Sequence, residues 1–289
     1  MARVMSAREK LGIKDHWLEA DGVGMEIHGD AGVASVAREI TATYHFDRIE
    51  FSPGDIAVDV GAYVGVVSIY LAKKWPGIRV IAVEPVPENV ARLQFNVDAN
   101  GVVDWVTIVN KAITGDGQPV TLWGHVGGNL VLSEFNTAQG IRRVAESITL
   151  PELFKVYNVE QCKLLKMDCE GSEHEILFAH DDILDRVEYL SIEIHHVGGH
   201  NSQTLADLCR CHIPEDKLAI QYAGFVGEGY INMGIVRSAK QRLEDLAAWK
   251  AEQAKRPPGW TEKAEAKLQG KEPCDGCDDK KKKKSEVDK

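Results

Sequence analysis

The chain predicts an α/β fold, a doubly wound sheet of about seven strands with helices on its faces. Three observations carry that expectation. The run Asp55-Ile56-Ala57-Val58-Asp59-Val60 is a short apolar strand that feeds a turn with two glycines, Gly61 and Gly65, and then the apolar helical run Val66–Leu71. Downstream, short apolar runs alternate with segments whose apolar residues recur at helical spacing. Carboxylates stand where two of those runs end, at Glu84 and Asp168, and strand ends line the ligand crevice of such sheets.

Taken in order, residues 1–50 read as a lid segment of helical and strand-like pieces, with Gly22, Gly24, Gly29 and Gly32 breaking any long helix. The strand at 55–60 opens the main domain, 51–237. Val80–Glu84 is a second buried strand, and Pro87–Val97 has the apolar spacing of a helix. Val106–Val109 is a third strand. Pro119–Trp123 and Ser147–Leu150 read as added strands or hairpin arms. Lys163–Asp168 is the fourth core strand, followed by a helix from about Ser172 to Ala179, and Tyr189–His195 is the fifth. Two late strands, about Leu218–Tyr222 and Tyr230–Arg237, would close the sheet as an antiparallel pair. Residues 238–289 form a charged extension, with a polar helix over Gln241–Lys255 and a disordered tail around the lysines 280–284.

At 289 residues and 44% hydrophobic, the chain can hold one large domain with extensions. Its net charge of −10 is unevenly placed: Ser238–Lys289 carries 14 Lys+Arg against 11 Asp+Glu, and residues 1–237 carry 20 against 33. An acidic domain repels a phosphate backbone, so nucleic acid is an unlikely partner. The first ten residues lack the apolar stretch of a signal peptide, and no apolar run approaches a membrane span. Six cysteines are too few for a disulfide scaffold, which points to the cytoplasm. Cys274-Asp275-Gly276-Cys277 has metal-ligand spacing, but Cys209-Arg210-Cys211-His212 is a poor second pair, and no metal site is predicted.

The glycine turn is the first piece of chemistry. The residue two after Gly61 is Tyr63, so the middle glycine of a dinucleotide turn is absent, and with it the room for a pyrophosphate. Asp59 is a poor neighbour for a phosphate and suits a cation, such as the amino group of S-adenosyl-L-methionine. Glu84, 23 positions after Gly61, is placed to accept hydrogen bonds from both ribose hydroxyls of an adenosine. Lys166-Met167-Asp168-Cys169-Glu170-Gly171-Ser172-Glu173 puts carboxylates at a strand end and a helix start. Glu173 in the first helical turn also complements the helix dipole, so its role is structural in part. Glu193 and His195 share one strand face, and an imidazole can take a proton from a hydroxyl. His196 faces the other way.

Together these runs, with Val83-Glu84-Pro85 and Ile192-Glu193-Ile194-His195, resemble the FkbM-type S-adenosylmethionine-dependent methyltransferases, over roughly residues 50–237. The D-x-E-G-x-E element is the specific part. The resemblance implies a class I, Rossmann-like fold and O-methylation of a sugar or other hydroxylated small molecule. By position, Asp59, Gly61, Ala62, Tyr63, Gly65, Glu84, Pro85, Asn110, Lys111, Ala112 and Asp168 would hold the cofactor. Glu170 and Glu173 would lie at the substrate or support the site. His195 is the first candidate for the base, Asp168 the second, with Glu193 beside them. A divalent metal on Asp168 and neighbouring carboxylates is the alternative way to activate the hydroxyl. The segment Gly127-Gly128-Asn129-Leu130 lacks the serines that family members often carry there. A nicotinamide oxidoreductase, a non-catalytic cofactor-binding protein and a methyltransferase acting on a macromolecule are the competing readings. A homo-oligomer is compatible with all of them.

Overall fold

The computed structural model describes residues 14–124, 141–195 and 202–223, all within the unit Met1–Ile235. The expected strand at 230–237, the helix at 241–255, His196 and the Gly127–Leu130 segment lie outside the described residues.

Strands β1 (Lys14–Ala20) and β2 (Val23–Gly29) form an antiparallel hairpin around a tight Asp21-Gly22 turn. Helix α1 (Val33–Ala42) follows, with Val33, Ala37 and Ile40 buried along one face. Strand β3 (Ile56–Val60) is buried at every position, as a central strand covered on both faces must be. Helix α2 (Val66–Lys74) is buried from Val66 to Ala72, which matches its nearly uninterrupted apolar run. Next come β4 (Arg79–Val83), α3 (Pro87–Ala99) and β5 (Val106–Val109). Two short pairs branch from the sheet. Strand β6 (Ala112–Ile113) runs parallel to β9 (Ser147–Ile148), and β7 (Val120–Gly124) pairs antiparallel with β8 (Ile141–Ala145).

The second half adds α4 (Leu150–Val156), β10 (Cys162–Met167), α5 (Glu173–Ala179), β11 (Val187–His195), α6 (Ser202–His212) and β12 (Leu218–Ala223). The main sheet runs β12-β11-β10-β3-β4-β5, with every neighbouring pair parallel. In order of entry this is the 3-2-1-4-5-6 arrangement of doubly wound sheets, with its switch point between β3 and β10. The α/β expectation holds, with six strands in the sheet among the described residues.

Several details differ from the sequence reading. The run Ser147–Leu150 is split, because Thr149 closes a capping box with Glu152 and starts α4; the arm that pairs with β7 is instead Ile141–Ala145. Helices α4 and α6 were not expected, although Thr149-Leu150-Pro151-Glu152 is a legible start signal. The segment read as a lid is deeply integrated. Met25, Ile27, Val33, Ile40 and Phe46 share one buried cluster with Val64, Ile69 and Tyr70 of the glycine-turn unit. Asn96 of α3 reinforces the join by donating to the Val64 and His28 carbonyls at 2.8 and 3.2 Å and accepting the His28 N–H at 2.8 Å. No helix among the described residues is long and apolar enough to cross a membrane.

The glycines at the switch point are set by the protein's own packing. Gly61 has φ of +78°, and a Cβ there would overlap the Asp168 carbonyl. Gly101 has φ of +66° but open space around it. Gly101→Ala should therefore cost about 1–2 kcal/mol through the backbone alone, and Gly61→Ala about 1–3 kcal/mol more through overpacking. Urea unfolding of the two variants checks the difference.

Candidate active site

The turn between β3 and α2 is held from both sides. The Gly61 and Ala62 N–H groups both donate to the Val83 carbonyl at the end of β4, each at 3.0 Å. Tyr63 occupies the left-handed region at φ +52°, an uncommon conformation for a side chain of this size. Two bonds hold it there: its N–H donates to Glu84 Oε2 at 2.9 Å, and its phenol donates to Asp30 Oδ2 at 2.5 Å. Gly65, at φ +93°, opens α2 and leaves no room for a Cβ beside Leu93.

Glu84 is 5% exposed and sits where β4 ends. Its carboxylate accepts N–H bonds from Tyr63 and from Val86 (3.0 Å), and a third bond from the Asn89 amide (3.1 Å). Burial pushes its pKa up to about 7, and those bonds only partly offset the effect. A carboxylate offers about four lone-pair directions, so capacity for a further donor remains on Oε2.

Asp59 meets a cation, but the cation belongs to the chain. Its carboxylate is fully buried; Oδ2 accepts the Ser68 hydroxyl at 2.6 Å and Oδ1 faces Lys166 Nζ at 3.4 Å. Asp59 itself does not line the cavity. Lys166, on β10 beside it, is 2% exposed and donates to the Gly61 carbonyl at 3.1 Å. Its Nζ also lies 3.5 Å from Asp168 Oδ2. Burial works against its charge, yet Asp168 and Asp59 hold its pKa well above the ordinary lysine value. The sequence reading gave Lys166 no role. The signal was a second lysine, set between the apolar Leu165 and Met167 near the end of a central strand.

Past β10 the chain makes a strained turn, with Glu170 at φ +56° and Gly171 at φ +111°. Glu173, fully buried at the start of α5, braces that turn by accepting the Cys169 N–H at 2.9 Å and the Gly171 N–H at 3.0 Å. Its Oε1 also lies 3.0 Å from His195 Nδ1. The structural part of its expected role is thus visible. His195 Nε2 points towards three carboxylates: Glu170 Oε2 at 3.5 Å, Asp168 Oδ1 at 3.9 Å and Glu193 Oε1 at 3.9 Å. Burial disfavours the imidazolium, but Glu173, Glu170 and Asp168 outweigh it and raise His195 to about 9. Burial and the Asp168 charge push Glu193 up to about 7. That environment favours the protonated imidazole over the free base. The neighbouring carboxylates are the proton acceptors that this arrangement offers.

These groups share one cavity of about 310 Å³ at the β3/β10 switch point. Gly61, Ala62, Tyr63, Glu84 and Pro85 line one side, with Lys111 and Ala112, and Asp168, Glu170, Glu193 and His195 line the other. Lys166 reaches it from the floor. Gly65 and Glu173 stand behind the wall. Asn110 stands outside the cavity wall: its amide donates to the Glu84 and Pro85 carbonyls at 3.0 and 3.1 Å and fastens the end of β4. The wall also includes Gly32, Ser35, Val36 and Glu39 of the α1 region, which no motif had singled out. Removing the central cation should be costly. Lys166→Met strands two carboxylates and should destabilise the fold by about 3–5 kcal/mol, whereas Lys166→Met with Asp59→Asn should recover part of that loss in urea unfolding.

The chain is similar to several known proteins. The chain is 25% identical over 217 residues to 31-O-demethyl-FK506 methyltransferase FkbM of Streptomyces tacrolimicus, covering 64% of this chain and 83% of that protein. It is 24% identical over 195 residues to Methyltransferase sdnD of Sordaria araneosa, covering 57% and 75%. A match at 23% identity to AMB antimetabolite synthetase AmbE of Pseudomonas aeruginosa takes in 60% of this chain but 10% of that protein's length. Among solved structures, Methyltransferase FkbM from Methylobacillus flagellatus KT aligns with a TM-score of 0.38 at 17% identity, covering 58% of this chain and 40% of that one. The family described as the methyltransferase FkbM domain matches residues 59–214, from the aspartate of β3 to beyond α6 and more than half of the chain. The chain therefore belongs to the FkbM methyltransferase family.

Proposed function

We propose that the protein transfers the methyl group of S-adenosyl-L-methionine to a hydroxyl of a small, hydroxylated acceptor. The observation that carries this reading is the single cavity joining the glycine turn and Glu84 to the carboxylate–imidazole cluster. Glu84 has acceptor capacity for a ribose hydroxyl at the adenosine end. The Gly61–Tyr63 backbone forms the adjacent wall, and the acceptor enters on the side of Asp168, Glu193 and His195. The sulfonium methyl is already activated, so the protein's work is alignment, which can supply most of the rate, and removal of one proton. The acceptor oxygen bonds to the methyl carbon while the carbon–sulfur pair returns to sulfur. The hydroxyl proton passes to the carboxylate cluster.

Calorimetry with S-adenosylhomocysteine and with NAD tests the cofactor assignment. One-to-one binding of the former and none of the latter is expected, and the reverse result sinks the reading. Methyl-labelled cofactor offered with hydroxylated acceptors then tests the transfer itself. Glu84→Ala should weaken S-adenosylhomocysteine by about 10–100-fold, the worth of a hydrogen bond to a charged group. The pH dependence has a definite sign. Ribose hydroxyls need the ionised carboxylate, which forms above about 7, so affinity should fall as pH drops from 8 to 6, by at most about tenfold per unit. Glu84→Gln should flatten that dependence.

A further inference from the structure

We propose that Asp168, Glu193 and His195 form a binding site for one divalent cation of the Mg²⁺/Mn²⁺ class at the acceptor end of the cavity. One ligand atom from each residue lies within 4.8 Å of the others. His195 Nε2 stands 3.9 Å from both Asp168 Oδ1 and Glu193 Oε1. That is too long for a hydrogen bond. It is close to the roughly 3–3.5 Å that separates adjacent ligands of an ion bound at about 2.1 Å, so a small inward movement closes the site.

What holds each ligand from behind is independent of the acidity of the cluster. His195 Nδ1 is engaged by the buried Glu173 at 3.0 Å, the carboxylate–histidine arrangement that fixes the tautomer and turns Nε2 towards a metal. Asp168 is split in the same way: Lys166 Nζ lies 3.5 Å from Oδ2, while Oδ1 faces His195. The ammonium confines Asp168 to one ligand oxygen. The two strand-end side chains Glu193 and His195 come from the same face of β11, so the backbone sets their spacing.

The donor set selects the ion class. Two carboxylates and one imidazole, with the cavity leaving room for waters, suit a hard, oxygen-preferring cation and lack the thiolates of a structural zinc site. Cys169 lines the same cavity, but burial and the neighbouring Glu173 and Asp168 hold its thiol neutral. Binding replaces the proton on Nε2, which leaves to solvent. The catalytic consequence rests on the methyl-transfer reading: the ion would take the acceptor oxygen as a further ligand and ease loss of its proton.

The test uses the full chain stripped with EDTA and titrated with Mn²⁺, followed by electron paramagnetic resonance. One saturable ion per chain is expected, displaced by Mg²⁺. Asp168→Asn, Glu193→Gln and His195→Ala should each weaken it at least tenfold, and Glu173→Gln about 10–100-fold through the histidine. Thermal unfolding of each variant separates loss of the site from loss of the fold, and Glu193→Gln, nearly isosteric at a partly exposed position, serves if the others unfold. No saturable binding, or binding that survives in the folded variants, overturns the proposal. S-adenosylhomocysteine calorimetry on the same sample keeps the two readings apart. Cofactor binding without Mn²⁺ binding removes only the metal, and Mn²⁺ binding without cofactor binding removes only the methyl-transfer reading.

Discussion

The buried ammonium of Lys166 is the interaction on which the site depends. It lies at the switch point, where strands of the two halves of the sheet run side by side and their following turns diverge. From there it holds the Asp59 carboxylate, the Gly61 carbonyl and Asp168 within 3.5 Å. Each of those partners belongs to a different part of the chemistry: the floor of β3, the glycine turn, and the acidic turn after β10. A buried charge persists only when it is paired and hydrogen-bonded. The cation therefore ties the position of the turn to the position of the acid cluster.

A second layer of buried carboxylates performs the same service around it. Glu84 fastens the Tyr63 turn to the start of α3 through Tyr63, Val86 and Asn89. Glu173 fastens the turn after β10 to the end of β11 through His195. Both residues satisfy backbone donors that burial would otherwise leave unpaired. Both also present a charged surface to the cavity or to a residue lining it. Structural and chemical roles are thus carried by the same side chains, which is why neither motif can be read as purely one or the other.

The N-terminal segment completes the cavity from outside the family-matched region. Its hairpin and helix bury apolar side chains against the glycine-turn unit, and Tyr63 grips Asp30 at the approach to α1. This places Ser35, Val36 and Glu39 in the cavity wall. The cavity wall is therefore built in part from a segment that the family pattern does not cover.

Much of the fold was legible because it follows from local patterns. Five core strands, the α2, α3 and α5 helices and the carboxylates at two strand ends came from apolar periodicity and glycine placement. The misses have physical causes. Helix α4 was hidden by a strand-like apolar run whose capping box was overlooked. The contacts that Asp59 and Asn110 make within the chain were not foreseen because their neighbours in space could not be known. The sequence by itself determined the βα alternation, the family and the side chains available for chemistry, since these depend on residue type and spacing along the chain. Only the tertiary structure decided that Lys166 faces Asp59, that Glu173 meets His195, and that α1 walls the cavity. Those outcomes rest on contacts between residues 22 to 107 or more positions apart, which no local pattern encodes.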